Sequence, residues 1–76
     1  MKKEEWVRDF RFNLKALIRS SGLSTKELTE RSGLSASTIS RYLNGQMIPS
    51  FDSVINLSIA LNCDIEDLAD VDELIK

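Results

Sequence analysis

The chain contains no histidine and only one cysteine, Cys63, among its 76 residues. A single cysteine cannot form an internal disulfide, and a zinc site would have too few soft ligands, so we expect no metal. Without histidine, and with serines placed at the starts or on the faces of predicted helices, no pair of nucleophile and general base is evident. The sequence therefore predicts a protein that is not an enzyme and needs no cofactor, with Cys63 as a packing residue.

Glycine and proline are also scarce, with three glycines and one proline. The glycines are spread along the chain, so they do not form a phosphate-binding loop. No apolar run approaches the roughly 20 residues of a membrane span, and no signal-peptide core follows the charged N-terminus. We therefore expect a cytoplasmic protein with no membrane contact. Its length predicts one domain over residues 1–76, with a small core.

Two short helices joined by a glycine turn are predicted over residues 24–43. Ser24 can cap the first helix while Glu27, at the third helical position, reaches back to it as in a capping box. Gly33 tolerates positive φ and is expected to end this helix, and Ser35 is expected to cap the second. Two helices held at a steep angle by a short turn form a helix-turn-helix.

The second of these helices has two different faces. Ile39, Tyr42 and Leu43 form an apolar stripe at helical spacing, which indicates burial. The opposite face carries Ala36, Ser37, Ser40, Arg41 and Asn44. A helix about 10–12 Å wide with such a face fits the DNA major groove, which is about 12 Å across. A polar face on a single surface helix is by itself more often only solvated, so this prediction depends on the capped helix and turn before it.

Further motifs keep a fixed order along the chain: residues 23–28, 33–35, 37–40, 44–45 and 49–51, followed by Leu57, Ala60 and Leu61. Their order and spacing closely resemble the phage-repressor-like helix-turn-helix family, also called the Cro/CI or xenobiotic-response-element type. The resemblance covers about residues 10–68. It implies an all-α fold, a compact lambda-repressor-like bundle of five helices with the helix-turn-helix at helices 2 and 3.

The expected helices span about residues 4–20, 24–32, 35–43, 50–61 and 64–75. Trp6, Phe10 and Leu14 share the apolar face of the first helix. The helix at 50–61 is apolar almost all round, which favours a central position. Phe12 lies off the stripe, as an ordinary exposed residue or as part of a contact with another chain.

By resemblance, the protein is expected to be a sequence-specific DNA-binding transcription regulator, a repressor whose third helix enters the major groove. Its partner is then double-stranded DNA, without a small-molecule ligand. The residues assigned to base contacts are Ala36, Ser37, Ser40 and Arg41, and those assigned to phosphates are Thr25, Lys26, Ser35, Asn44 and Gln46. Arg41 is the strongest candidate, because a guanidinium can fork onto guanine.

The resemblance also implies a homodimer that reads half-sites one helical turn, about 34 Å, apart. The acidic last helix has spare apolar residues at Val71, Leu74 and Ile75, which are a candidate dimer surface. Packing of the same residues on the chain's own core is the alternative use.

Four positions depart from the family pattern. Thr25 stands where glutamine is usual, so its hydroxyl has a shorter reach to a phosphate. Thr29 replaces an alanine, and we expect it to separate two helices slightly or to bond a backbone carbonyl. Ile18 and Leu43 replace a buried arginine and glutamate, an exchange that is often neutral when both partners change. We predict that Ile18 contacts Leu43.

Charge is the observation that fits DNA binding least well, because the net charge is −2. Residues 1–22 carry a net charge of +3, residues 23–47 carry +1 and residues 48–76 carry −6. We expect binding per monomer to be weak and sensitive to salt. The low basicity keeps a second interpretation open, that of a protein-interaction module, such as an antitoxin or a regulator's partner, which has kept the fold but lost base readout.

Overall fold

The computed structural model describes residues 2–70 and residue 72, which form five helices and no strand. The helices are α1 (Lys3–Ser21), α2 (Thr25–Ser32), α3 (Ala36–Leu43), α4 (Phe51–Ala60) and α5 (Ile65–Leu68). The all-α fold class with five helices is therefore confirmed. The first four helices begin and end within about one residue of the expected bounds.

The core is organised around the inner face of α1. Trp6, Phe10 and Leu14 recur at every fourth residue and are all buried. The rings of Trp6 and Phe10 stack with centroids 5.6 Å apart. Phe10 meets the ring of Tyr42 edge to face at 6.0 Å, an arrangement that aromatic quadrupoles favour. This ladder of three rings fixes α3 against α1.

The same ladder reaches α4 through a buried hydrogen bond. The hydroxyl of Tyr42 donates to Oγ of Ser53 at 3.1 Å. Ser53 lies in the first turn of α4, and its backbone N–H donates to Oγ of Ser50, the residue that caps this helix. The start of α4 is thus positioned by Tyr42 of α3 as well as by its own cap.

The fifth helix is shorter than the sequence predicts. It ends at Leu68, because Ala69 has extended backbone angles, φ −153° and ψ 156°. Two side chains of α1 donate hydrogen bonds to backbone carbonyls at this point. Asn13 donates to the carbonyl oxygen of Leu68 at 3.1 Å, and Trp6 donates to that of Asp70 at 3.3 Å. A continuous helix over 64–75 is therefore wrong. Residue 71 and residues 73–76 lie outside the described part of the chain.

Helix α4 is central on one side only. Val54 and Leu57 are buried, but Ile59 is 70% exposed and Phe51 is 37% exposed. The expected central position is wrong for these two residues, because the packing of α4 against α2 and α5 leaves them exposed.

Cys63 lies in the turn after α4, half-buried and packed against the core. Burial raises the pKa of its thiol, and the carboxylates of Asp67 and Asp64 raise it further. The thiol is therefore kept protonated, which suits packing rather than nucleophilic chemistry.

The hydroxyl of Tyr42 can be removed without disturbing the aromatic ladder. We expect Tyr42→Phe to lower the free energy of unfolding by about 1 kcal/mol, the usual worth of such a hydrogen bond. Urea denaturation of Tyr42→Phe, Ser53→Ala and the double variant measures the coupling. Additive losses in the double variant would contradict the hydrogen bond as the link between α3 and α4.

Candidate nucleic-acid interface

The first helix of the helix-turn-helix begins with the predicted capping box. Oγ of Ser24 accepts the backbone N–H of Glu27 at 3.1 Å, and Oε1 of Glu27 accepts the N–H of Ser24 at 3.2 Å. The N–H and then the hydroxyl of Ser24 hold the pKa of the Glu27 carboxyl below its ordinary value. Both hydrogen bonds join residues three positions apart in the sequence, which explains why the residue pattern predicts this capping box.

The turn between α2 and α3 depends on Gly33. Its φ is +73°, in the left-handed region, and its N–H donates to the carbonyl of Thr29 at 2.9 Å. Thr29 also donates its own hydroxyl to the carbonyl of Lys26 at 2.7 Å, so the expected bond to a backbone carbonyl is confirmed.

Helix α3 starts at a hydroxyl cluster. Oγ of Ser35 accepts the N–H of Thr38 at 3.1 Å and bonds the hydroxyl of that residue at 2.9 Å. Ser35 and Ser37 also lie 3.2 Å apart, Oγ to Oγ. The expected cap at Ser35 is confirmed, and its hydroxyl is therefore engaged in starting the helix.

The outer face of α3 is open. Ile39 and Tyr42 are buried on the inner side, so the helix cannot rotate about its axis without losing core contacts. The four residues assigned to base contacts are all exposed and share one helical face: Ala36, Ser37, Ser40 and Arg41. The structure thus brings these four together as the sequence predicts, and their contact with bases stays a prediction.

Four of the five residues assigned to phosphates fall into two groups, both exposed. Thr25 and Lys26 open α2, next to its cap. Asn44 and Gln46 follow α3, where Nδ2 of Asn44 lies 3.5 Å from Oγ of Ser40. Ser35 belongs to neither group and lies at the start of α3.

Arg11 is a residue of this region that the sequence reasoning missed. Its Nε donates to the carbonyl of Leu43 at 2.8 Å, across 32 residues of chain. A cation here also faces the negative end of the α3 dipole. No local sequence pattern marks this pair, because its two residues lie on different helices and meet only through packing.

Ile18 and Leu43 are both partly buried and pack against the same core. Their direct contact stays a prediction. The observed polar link between α1 and the end of α3 is made by Arg11 instead, to the backbone of Leu43 and not to its side chain.

Two features of the described residues bear on other functions. No group of three histidine, cysteine, aspartate or glutamate side chains within them could hold a metal ion. Among the described helices, none has the length and apolar character needed to cross a membrane.

Comparison with known proteins decides the family. A family model described as helix-turn-helix matches residues 14–68. The chain belongs to that family. This is the Cro/CI-type helix-turn-helix, and the resemblance drawn from the motifs is confirmed.

A solved structure agrees with the family match. The chain is similar to the restriction-modification controller protein C.AhdI from Aeromonas hydrophila, with 29% identity and a TM-score of 0.76. The match covers 82% of this chain and 94% of that one. A comparison of the sequence with those of curated proteins finds no match. The family and the structural likeness together support a DNA-binding transcription regulator.

The capping box at the start of α2 makes stability depend on pH. Because the Glu27 pKa is lowered on folding, its ionised form stabilises the protein above its ordinary pKa of 4.5, and this contribution is lost as pH falls through the lowered value. We expect wild type to be more stable than Glu27→Gln at pH 7, with the difference shrinking below pH 4.5. Urea denaturation from pH 7 to 3 measures it. Glu30→Gln, on the same helix, is the control, and an equal pH effect there would contradict the assignment.

Proposed function

We propose that this protein is a sequence-specific DNA-binding repressor that inserts α3 into the major groove. The observation that carries the proposal is the division of α3 into a buried side held by the aromatic ladder and an open side of small polar residues with one arginine. A rigid helix with such a face matches the width and the hydrogen-bonding character of the groove. The family and the likeness to a controller protein support a regulatory role.

Each exposed residue of α3 has a contact that its chemistry favours. Arg41 presents a fork of N–H donors that matches O6 and N7 of guanine. Ala36 offers a methyl group that suits the methyl of thymine, and Ser37 and Ser40 can donate to or accept from either base edge. Few long side chains stand on this face, so Arg41 would carry most of the discrimination between bases.

Phosphate contacts would fix the helix in the groove from two sides. Thr25 and Lys26 at the start of α2 supply a hydroxyl and a cation, and Asn44 and Gln46 after α3 supply amide donors. Ser35 is the weakest member of the set, because its hydroxyl already caps α3.

Selection from a random pool of double-stranded DNA tests base readout. We expect wild type to enrich one half-site, and Arg41→Lys to lose the preference at one base pair by roughly 5- to 150-fold, the equivalent of 1–3 kcal/mol. Lysine keeps the charge but lacks the planar fork, so affinity for unrelated DNA should change little. The measurement is the binding constant for matched and mismatched half-sites.

Arg31→Lys is the matched control, since Arg31 is an exposed arginine of α2 with no assigned base. The Arg31→Lys variant should enrich the same half-site as wild type. If wild type enriches no half-site even at low salt, base readout is rejected. The same outcome would favour the protein-interaction module, which the net charge of −2 also favours.

The proposed repressor acts as a homodimer. Of the residues first assigned to its interface, Val71, Leu74 and Ile75 lie outside the described part of the chain. One side of α4 offers a described surface: Phe51, the half-buried Ile55 and Ile59 recur every fourth residue, and Ile59 is 70% exposed. An apolar stripe of this kind is typical of an interface between proteins.

Sedimentation velocity at high micromolar concentration tests the dimer. We expect wild type to sediment as a dimer and Ile59→Asp as a monomer, because a carboxylate would be buried in the interface at a cost of several kcal/mol. Phe12→Asp is the matched comparison, since Phe12 is 72% exposed but lies on α1. It should remain a dimer, and a monomeric Phe12→Asp would place the interface on α1 instead of α4. A wild-type chain that remains monomeric with DNA present would contradict the proposal.

A further inference from the structure

An open cleft of about 420 Å³ lies between the N-terminal half of α1 and the loop that follows α3. One wall is formed by α1, with Lys3, Val7, Arg8 and Arg11. The other wall is formed by residues 44–48. The cleft therefore adjoins the C-terminal end of the recognition helix.

The wall formed by α1 is positively charged. Lys3, Arg8 and Arg11 line it, against the single carboxylate of Glu4. Arg8 also pairs with Asp9 at 3.5 Å, but both side chains are more than half exposed, and such surface pairs are weak and easily exchanged. Arg11 is oriented by its bond to the carbonyl of Leu43, which uses its Nε and leaves both terminal nitrogens of the guanidinium for a ligand.

The opposite wall adds neutral donors. Asn44 and Gln46 carry side-chain amides into the lining. The backbone N–H groups of Gly45 and Gln46 are already bonded to the carbonyls of Tyr42 and Arg41, so these two residues offer no free backbone donor to a ligand. Forked cations with amide donors are the groups that bind a phosphate.

We propose that this cleft binds a phosphate of the DNA backbone beside the bases that α3 reads, so that Lys3, Arg8 and Arg11 are DNA-binding residues. This inference rests on the proposed function. Asn44 and Gln46, which are already assigned to phosphates, also line the cleft. A DNA strand whose backbone contacts these two amides would therefore also contact the cations of α1.

The assignment also accounts for the charge distribution. Residues 23–47 carry a net charge of only +1, which gives little attraction to DNA. Residues 1–22 carry +3, and the cleft places three of their cations next to α3. These three cations precede residue 14, where the family match begins.

The salt dependence of binding to the selected half-site tests the cleft. We expect the Lys3→Ala/Arg8→Ala double variant to reduce the slope of log K against log salt by up to about one unit, since the one phosphate that the cleft would neutralise contributes about 0.9. Affinity should fall on specific and unrelated DNA alike, with the same half-site enriched. Arg11 is left intact because it also supports α3.

Arg19→Ala is the control, because it removes an exposed cation of the same helix that does not line the cleft. Its slope should equal that of wild type. If the double variant keeps the wild-type slope, or if Arg19→Ala lowers the slope equally, the cleft is not a phosphate site, while base readout stands. If wild type enriches no half-site, the proposed function fails and the inference fails with it.

A free phosphate compound is the other source of the same chemistry. Titration of wild type with pyrophosphate, followed by nuclear magnetic resonance, should give only weak, unsaturated shifts at millimolar concentration. Saturable binding that Arg8→Ala abolishes would assign the cleft to a free ligand and overturn the DNA-backbone contact.

Discussion

The ladder of Trp6, Phe10 and Tyr42 is the contact on which the rest of the structure depends. It ties α3 to α1 through stacked and edge-to-face rings, and the Tyr42 hydroxyl extends the tie to α4. In a chain of 76 residues the core is small, so the loss of one aromatic contact affects every helix. The open face of α3 is available to a partner only because the opposite face is fixed in this way.

The sequence predicts most accurately those structural features that depend on residues close together in the chain. The cap at Ser24 and the turn at Gly33 involve partners three or four positions away, so propensity and spacing identify them. The end of α5 was missed because Asn13 bonds the carbonyl of Leu68 across 55 residues, a distance that no local pattern encodes. The exposure of Ile59 was missed for a related reason, since the hydrophobicity of a helix does not show which of its sides another helix packs against.

The same division applies to the candidate site. Ala36, Ser37, Ser40 and Arg41 share a face because a helix repeats every 3.6 residues, and the sequence alone places them together. The cations of α1 were visible as a charge of +3, but their position beside α3 follows from helix packing. The proposed interface therefore joins a motif common to the family with a charged segment that the family match does not include.

Trp6 has a consequence for experiment as well as for packing. It is the single tryptophan of the chain, stacked on Phe10 and bonded through its indole N–H to the carbonyl of Asp70. Its fluorescence therefore reports, without any added label, whether the segment after α5 remains packed against α1. Because the indole is 7% exposed, release of that segment would admit water to the ring and shift its emission to longer wavelength.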